Sequence, residues 1–245
     1  RGMFDAWVLP AVRERLALAP GALVTLRCAG AGESNLQEAL ADWSAEGVEL
    51  GFRAAMPEVY VKLRFDGGIS EARREAVVAQ VRERLGAAVF AIERPGDPPC
   101  PLAAAVGQRL LTLGAQLAIA ESCTGGRVAS LCTAVPGASR WFTEGVVSYA
   151  NEVKVRRLGV PEAELAEHGA VSEVVARRMA EGLRAQAGVT YALATTGVAG
   201  PDGGSPEKPV GLVHVALATP DITLHRALRL GGDRERIQLL AAAGA

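Results

Sequence analysis

The chain has 245 residues, enough for one large domain or two ordinary ones, and 49% of them are apolar, so a sizeable core can be built. Only 4% are aromatic, which favours Ala-, Val- and Leu-rich helices packed on a parallel sheet over an aromatic-rich β-sandwich. The formal net charge of −1 lacks the basic excess of a general nucleic-acid binder. In chain order, "FDAWVLPAVRERLAL" (4–18) has a helical apolar pattern that ends before Pro20-Gly21, and "ALVTLRC" (22–28) reads as a strand. "GAGESNLQEALADW" (30–43) is a turn and a helix with Ser34 or Asn35 as cap. Two alternating segments, 47–54 and 58–65, read as paired strands joined near Met56-Pro57. "SEARREAVVAQVRERL" (70–85) is an amphipathic helix that Ser70 caps and Gly86 ends, and 87–93 is a last strand. The order β-α-β-β-α-β is a split βαβ, ferredoxin-like α+β pattern.

"RPGDPPCP" (94–101) is Pro- and Gly-rich and reads as a linker. The expected organisation is a tail over 1–20, a small α+β domain over 21–94, a linker over 95–101 and a second domain over 102–245. In the second domain, helix 102–114 precedes strand 115–121, a Gly-rich turn and helix 126–135. Loop 136–142, strand 144–150, helix 151–159 with Asn151 as cap, and helix 172–188 with Ser172 as cap follow. Strand 189–197, a polar loop over 198–209, paired strands 210–219 and 222–230, and a helix that the chain end cuts short complete it. Strands alternating with helices predict a three-layer α/β domain on a mixed sheet. The opening "RGMFDAW" reads as a piece of a longer chain.

The four cysteines (Cys28, Cys100, Cys123, Cys132) form no CxxC pair and there are three histidines, so a zinc site is not expected. Sparse, unpatterned Cys suits a reducing cytoplasm. No apolar run reaches membrane-spanning length and no signal peptide is seen, so no membrane partner is expected.

Three segments leave strands at carboxyl ends, where open α/β sheets bind ligands: "ESCTGG" (121–126), "YANEVK" (149–154) and "TTGVAGPDGGSPEKP" (195–209). Gly125 and Gly126 open a helix whose first N–H groups suit an anion; the plain alternative is a strand-to-helix turn with Thr124 as cap. "GPDGGS" (200–205) is a Gly/Pro surface loop or the second wall of a polar site. His168, His214 and His225 follow no Ser-His-Asp order, which leaves Ser-Lys chemistry, in which a desolvated, neutral lysine takes a proton from a serine. The chain has only Lys62, Lys154 and Lys208, so Lys154 stands out against an Arg-rich background; as a solvated helix residue it would do nothing. Tyr149 is equally readable as a half-buried strand aromatic. Cys123 is a rival nucleophile at a helix start, or a small buried hydrophobe.

"AESCTGGRVASLCTAVPGASRWFTEGVVSYANEVKVRRLGV", "HGAVSE" and "TGVAGPDGGSPEKPVGLV" resemble the C-terminal domain of the CinA family, the nicotinamide-nucleotide amidases, through nearly all of residues 102–235. "GAGESNLQEALADW" resembles the KH-like middle domain of full-length CinA proteins, and "FDAWVLPAVRERL" the tail of their molybdopterin-binding-like first domain. The resemblance implies hydrolysis of nicotinamide mononucleotide to nicotinic acid mononucleotide and ammonia, with no metal or cofactor, in a homo-oligomer. The family's ADP-ribose pyrophosphatase activity, assigned to the first domain, is not expected of this chain. The resemblance makes Ser139 the nucleophile and Lys154 its base. Tyr149, Ser122 and Thr196 fall on the family's other site positions, with Tyr149 as proton relay and Ser122 and Thr196 as oxyanion donors. The substrate phosphate is expected at Thr124, Gly125 and Gly126, with Gly200, Asp202, Gly203 and Gly204 as the facing wall, and Cys123 becomes structural. Two other readings remain: a regulatory module that binds a pyridine nucleotide without turning it over, and nucleic-acid binding through residues 21–94. The second lacks the GxxG clamp of a KH domain, and "GAGESN" also lacks the third glycine of a dinucleotide fingerprint.

Overall fold

The computed structural model describes residue 2, residues 4–16 and residues 21–245. The chain divides into two compact units, residues 1–100 and 101–245. The first unit opens with a π-helical turn, Phe4–Val8, that runs into α1, Leu9–Leu16. The last part of the helix expected over 4–18, and Pro20 behind it, lie outside the described residues.

The small sheet of this unit comprises β1 (Ala22–Cys28), β2 (Val48–Ala55), β3 (Glu58–Phe65) and β4 (Val89–Glu93) in the order β2-β3-β1-β4. Each neighbouring pair is antiparallel, which is the split βαβ arrangement read from the sequence. Helices α2 (Glu33–Ala39) and α3 (Glu71–Leu85) close one core with it, in which Leu26, Val61 and Leu63 meet Leu36, Val78 and Val81. Ser70 caps α3 by accepting the Arg73 N–H, and Gly86 ends it at φ 55°. Neither Ser34 nor Asn35 caps α2: the cap is Gly32, whose carbonyl accepts from the N–H groups of Asn35 and Leu36, and no side chain takes part.

The second unit is a three-layer α/β fold on a five-stranded mixed sheet. Its strands are β5 (Leu117–Glu121), β6 (Phe142–Val147), β7 (Tyr191–Gly197), β8 (Leu212–Ala218) and β9 (Thr223–Arg229), in the order β6-β5-β7-β8-β9. β5 runs parallel to β6 and β7, whereas β8 and β9 are antiparallel additions. Every residue of β5 and five of the seven in β7 are buried, as expected of central strands covered on both faces. One face carries α4 (Leu102–Leu113), α5 (Arg127–Thr133) and α9 (Arg234–Gly244), whose Leu110, Val128 and Ile237 meet Ile119 and Val213. The other carries α6 (Asn151–Leu158) and α8 (Glu173–Ala187), whose Leu158, Val175 and Met179 meet Ala118, Ala194 and Ala216.

β6 begins two residues earlier than the expected 144 and ends at Val147, because its ladder starts at Phe142 opposite Leu117. A short helix that the sequence reading passed over, α7 (Glu162–His168), follows Pro161. Asn151 is the first helical residue of α6 rather than its cap; Ala150 takes the cap position without a side-chain bond. Ser172 caps α8 by accepting the Val175 N–H. Among the described residues, no helix is long and apolar enough to cross a membrane.

Candidate active site

A cavity of about 300 Å³ opens beyond the carboxyl ends of β5, β6 and β7. Ser122 enters it directly after β5, Tyr149 and Asn151 from the turn between β6 and α6, and Thr196 from the end of β7. The loop after β7 supplies Ala199, Gly200, Asp202 and Gly203, and α9 supplies Arg234. The crossing of three strand ends is where this fold class gathers loops, so the cavity follows from topology.

Lys154 is the central finding. It sits on α6, is 1% exposed, and is among the residues that line the cavity. Burial lowers its pKa; the charges of Cys123 and Glu152 oppose this more weakly. Nζ donates to the main-chain carbonyls of Ser148 (2.7 Å) and Tyr149 (3.2 Å), and no carboxylate pairs with it among the described residues. An unprotonated amine has two N–H groups and one lone pair. Two carbonyls therefore satisfy both hydrogens of the neutral form and leave its lone pair to act as a base.

Ser122 is 9% exposed, and its hydroxyl bonds to no protein group among the described residues, so it is available to the cavity. Cys123 also lines the cavity, but burial pushes its thiol up to about 12. Its main-chain carbonyl accepts from the Gln238 side chain, and the buried thiol form is a poor nucleophile. Tyr149 is 59% exposed, and its Oη accepts from the Arg234 Nη2 at 2.7 Å, so the phenolic proton stays available. Thr196 lines the cavity, yet its hydroxyl donates to the Ala170 carbonyl at 2.7 Å. Its single proton is committed there, and the oxyanion-donor role expected of it would require that bond to break.

The Gly-rich turn is not an open anion cradle. Glu121, 1% exposed, accepts from the N–H groups of Gly126 (2.9 Å), Val128 (3.2 Å) and Ala129 (2.8 Å). The Gly125 N–H goes to the Ser122 carbonyl, and Thr124, fully buried, bonds its hydroxyl to that of Thr195 at 2.7 Å. The chain's own carboxylate occupies the site assigned to phosphate, so Thr124, Gly125 and Gly126 do not line the cavity. Gly200, Asp202 and Gly203 do line it, whereas Gly204 does not.

Ser139 also lies outside the cavity. It lies exposed in the short 3-10 turn Ala138–Arg140, ahead of β6. The Trp141 carbonyl, next in the chain, accepts from Leu117 at the start of β5. That is the amino edge of the parallel strands, and a five-residue strand spans about 17 Å. Ser139 is therefore absent from the cavity that holds Lys154 in the same chain. Conversely, Arg234 and Asn151 are cavity residues that the sequence reading did not single out; the "GDR" at 232–234, directly after the last strand, was the available signal for Arg234.

Comparison with known proteins gives the relationship. Residues 100–245 match the CinA C-terminal domain, and residues 24–91 match the damage-inducible protein CinA KH domain. A CinA-like protein from Anaeromyxobacter sp. (strain Fw109-5) is 48% identical over 99% of this chain and 58% of its own length. A CinA-like protein from Myxococcus xanthus (strain DK1622) is 39% identical over 99% and 59%. The chain thus spans somewhat over half the length of these curated relatives. Among solved structures, a competence-damaged protein (CinA) superfamily protein from Escherichia coli is 34% identical with a TM-score of 0.58, covering 60% of this chain and 85% of its own. The competence/damage inducible protein CihA from Agrobacterium tumefaciens is 40% identical with a TM-score of 0.56, covering 58% and 88%. With the C-terminal match running through more than half of its residues, the chain belongs to the CinA family.

Proposed function

We propose that this chain is an amidase that hydrolyses the carboxamide of nicotinamide mononucleotide, releasing ammonia and nicotinic acid mononucleotide. The observation that carries the reading is Lys154: a buried lysine without a carboxylate partner, with two carbonyls placed for the two hydrogens of a neutral amine. A cationic pyridinium beside it would favour the neutral amine further.

The proposed steps use the residues that line the cavity. The lone pair of Lys154 takes the proton of a serine hydroxyl as its oxygen attacks the carboxamide carbon. The Tyr149 hydroxyl, held by Arg234, gives a proton to the departing nitrogen, and the C–N bond breaks to leave an ester on the serine. Lys154 then passes its proton to the Tyr149 phenolate, which resets both groups; as base once more it takes a proton from the water that attacks the ester, and that proton returns to the departing serine oxygen. Within one chain, Ser122 is the serine that lines the cavity together with Lys154. Ser139 is the residue that the family resemblance selects, and it can act here only if a neighbouring copy of the chain presents it. The experiment is ammonia release from nicotinamide mononucleotide by the parent and by Ser122→Ala, Ser139→Ala and Lys154→Met. Loss in Lys154→Met with one of the serine variants supports the reading and names the nucleophile. Recovery on mixing Ser139→Ala with Lys154→Met chains assigns Ser139 from a neighbouring copy. A folded parent that binds the nucleotide and releases nothing would replace the amidase with a pyridine-nucleotide-binding regulatory module.

A further inference from the structure

With the Gly-rich turn closed by Glu121, an anionic substrate needs another holding point, and the opposite wall of the cavity has the right unused donors. Arg234, the first residue of α9, gives Nη1 to the Gly200 carbonyl (2.6 Å) and Nη2 to the Tyr149 hydroxyl (2.7 Å). A guanidinium has five N–H groups, so three stay uncommitted. No carboxylate pairs with Arg234 among the described residues, although ion pairs hold many of the chain's other arginines. Both contacts fix its position without neutralising its charge.

The loop beside it has unpaired donors as well. Among the described residues, the main-chain N–H groups of Ala199, Gly200, Asp202 and Gly203 have no protein acceptor; Ala199 and Gly200 are buried, Asp202 and Gly203 exposed. Buried main-chain N–H groups are nearly always paired, so those of Ala199 and Gly200 are open to an acceptor from outside the chain, and the exposed pair beside them can add to it. Gly200 and Gly203 hold φ 77° and 87°, a region that favours glycine, and a Cβ on Gly200 would press to 2.6 Å from Val210. Asp202 is the one carboxylate in the lining, exposed, and it suits the hydroxyls of a sugar better than an anion.

We infer that Arg234, with the main-chain N–H groups of Ala199, Gly200 and Gly203, forms a phosphate subsite that takes the 5′-phosphate of a mononucleotide, with Asp202 facing its ribose. Guanidinium and main-chain N–H donors are the usual partners of a phosphate dianion. The inference rests on the mononucleotide reading above for the identity of the ligand. Its test is calorimetric titration of the parent, Arg234→Gln and Arg234→Lys with ribose 5-phosphate and with ribose, each variant being checked for an unchanged thermal transition. The parent is expected to bind ribose 5-phosphate at least tenfold more tightly than Arg234→Gln, with Arg234→Lys between them, while ribose does not distinguish the three. Equal binding of ribose 5-phosphate by parent and Arg234→Gln, or none by the parent, overturns the subsite. Because no turnover is involved, Arg234-dependent binding without ammonia release would retain the subsite and reject the amidase. Ammonia release with a phosphate affinity indifferent to Arg234 would do the reverse.

Discussion

Glu121 gives the most exacting test of how the site is built. Its carboxylate accepts from three main-chain N–H groups in the first turn of α5, in a setting with almost no solvent. Glu121→Gln keeps the shape but turns one oxygen into an NH₂ that faces N–H donors. If the amide oxygen takes the Oε2 position, two bonds survive without charge and one is lost; in the other orientation two are lost. Hydrogen bonds to charged groups contribute about 1.5–3 kcal/mol each, and a buried donor left unpaired costs about 1–3 kcal/mol. The expected loss is about 2–4 kcal/mol, which for a unit of this size corresponds to a Tm lower by roughly 5–15 °C. The assay is thermal unfolding followed by circular dichroism, with urea unfolding as a second measure. A second readout separates the anion from mere packing: Glu121→Ala empties the turn, so its Tm should rise on adding inorganic phosphate by more than the parent's, which offers only the proposed Arg234 subsite. A Tm shift below about 2 °C for both variants would refute the reasoning and reopen the turn as a ligand cradle.

The remaining predictions concern the base, its support and a pair of histidines. The ascending limb of kcat/KM against pH should lie below the ordinary lysine range of about 10.4, because burial makes Lys154 neutral at lower pH; Lys154→Arg should abolish the limb along with turnover. Gly182 of α8 meets the Leu158 carbonyl of α6, with which a Cβ would collide, so Gly182→Ala should cost about 1–3 kcal/mol in urea unfolding and lower kcat by shifting the helix that carries Lys154. His214 is stacked on His225, with Nδ1 2.9 Å from its Nε2, and burial followed by the charge of His225 lowers its pKa; Glu173 raises it and Lys208 lowers it further. The unfolded chain then binds more protons at this position than the folded one, so stability should fall as pH drops below about 6.5. Urea midpoints at pH 7.5 and 5.5 for the parent and His214→Gln check this, with a smaller decline expected in the variant.

Much of the fold was legible because patterns of one face repeat: Val77, Val78, Val81 and Leu85 line the buried side of α3, and the all-apolar start of β5 announces a central strand. Caps were legible only where a hydroxyl is the natural choice, at Ser70 and Ser172, and misread where glycine or alanine stands there instead. The cavity was visible as three loops at strand ends, together with Lys154 as the odd lysine. Whether the N–H groups of the Gly-rich turn are free was not visible. "ESCTGG" contains both a cradle and, one residue before Ser122, the carboxylate that fills it; only the fold of Glu121 back onto Gly126 decides between them. Ser139 and Lys154 are fifteen positions apart, but β6 lies between them and carries them to opposite ends of the sheet. Arg234 comes from the far end of the chain, so no local spacing linked it to Tyr149.

The two carbonyls that receive the Lys154 hydrogens belong to the main chain at Ser148 and Tyr149. The alignment of the proposed base therefore depends on the path of the backbone from β6 into α6 and on no neighbouring side chain's polarity. Neither carbonyl belongs to a side chain that faces the cavity, such as Asn151, Val171 or Asp202. In the amidase proposed above, substrate choice and the alignment of the base would therefore rest on different parts of the chain, wall side chains for the one and main chain for the other.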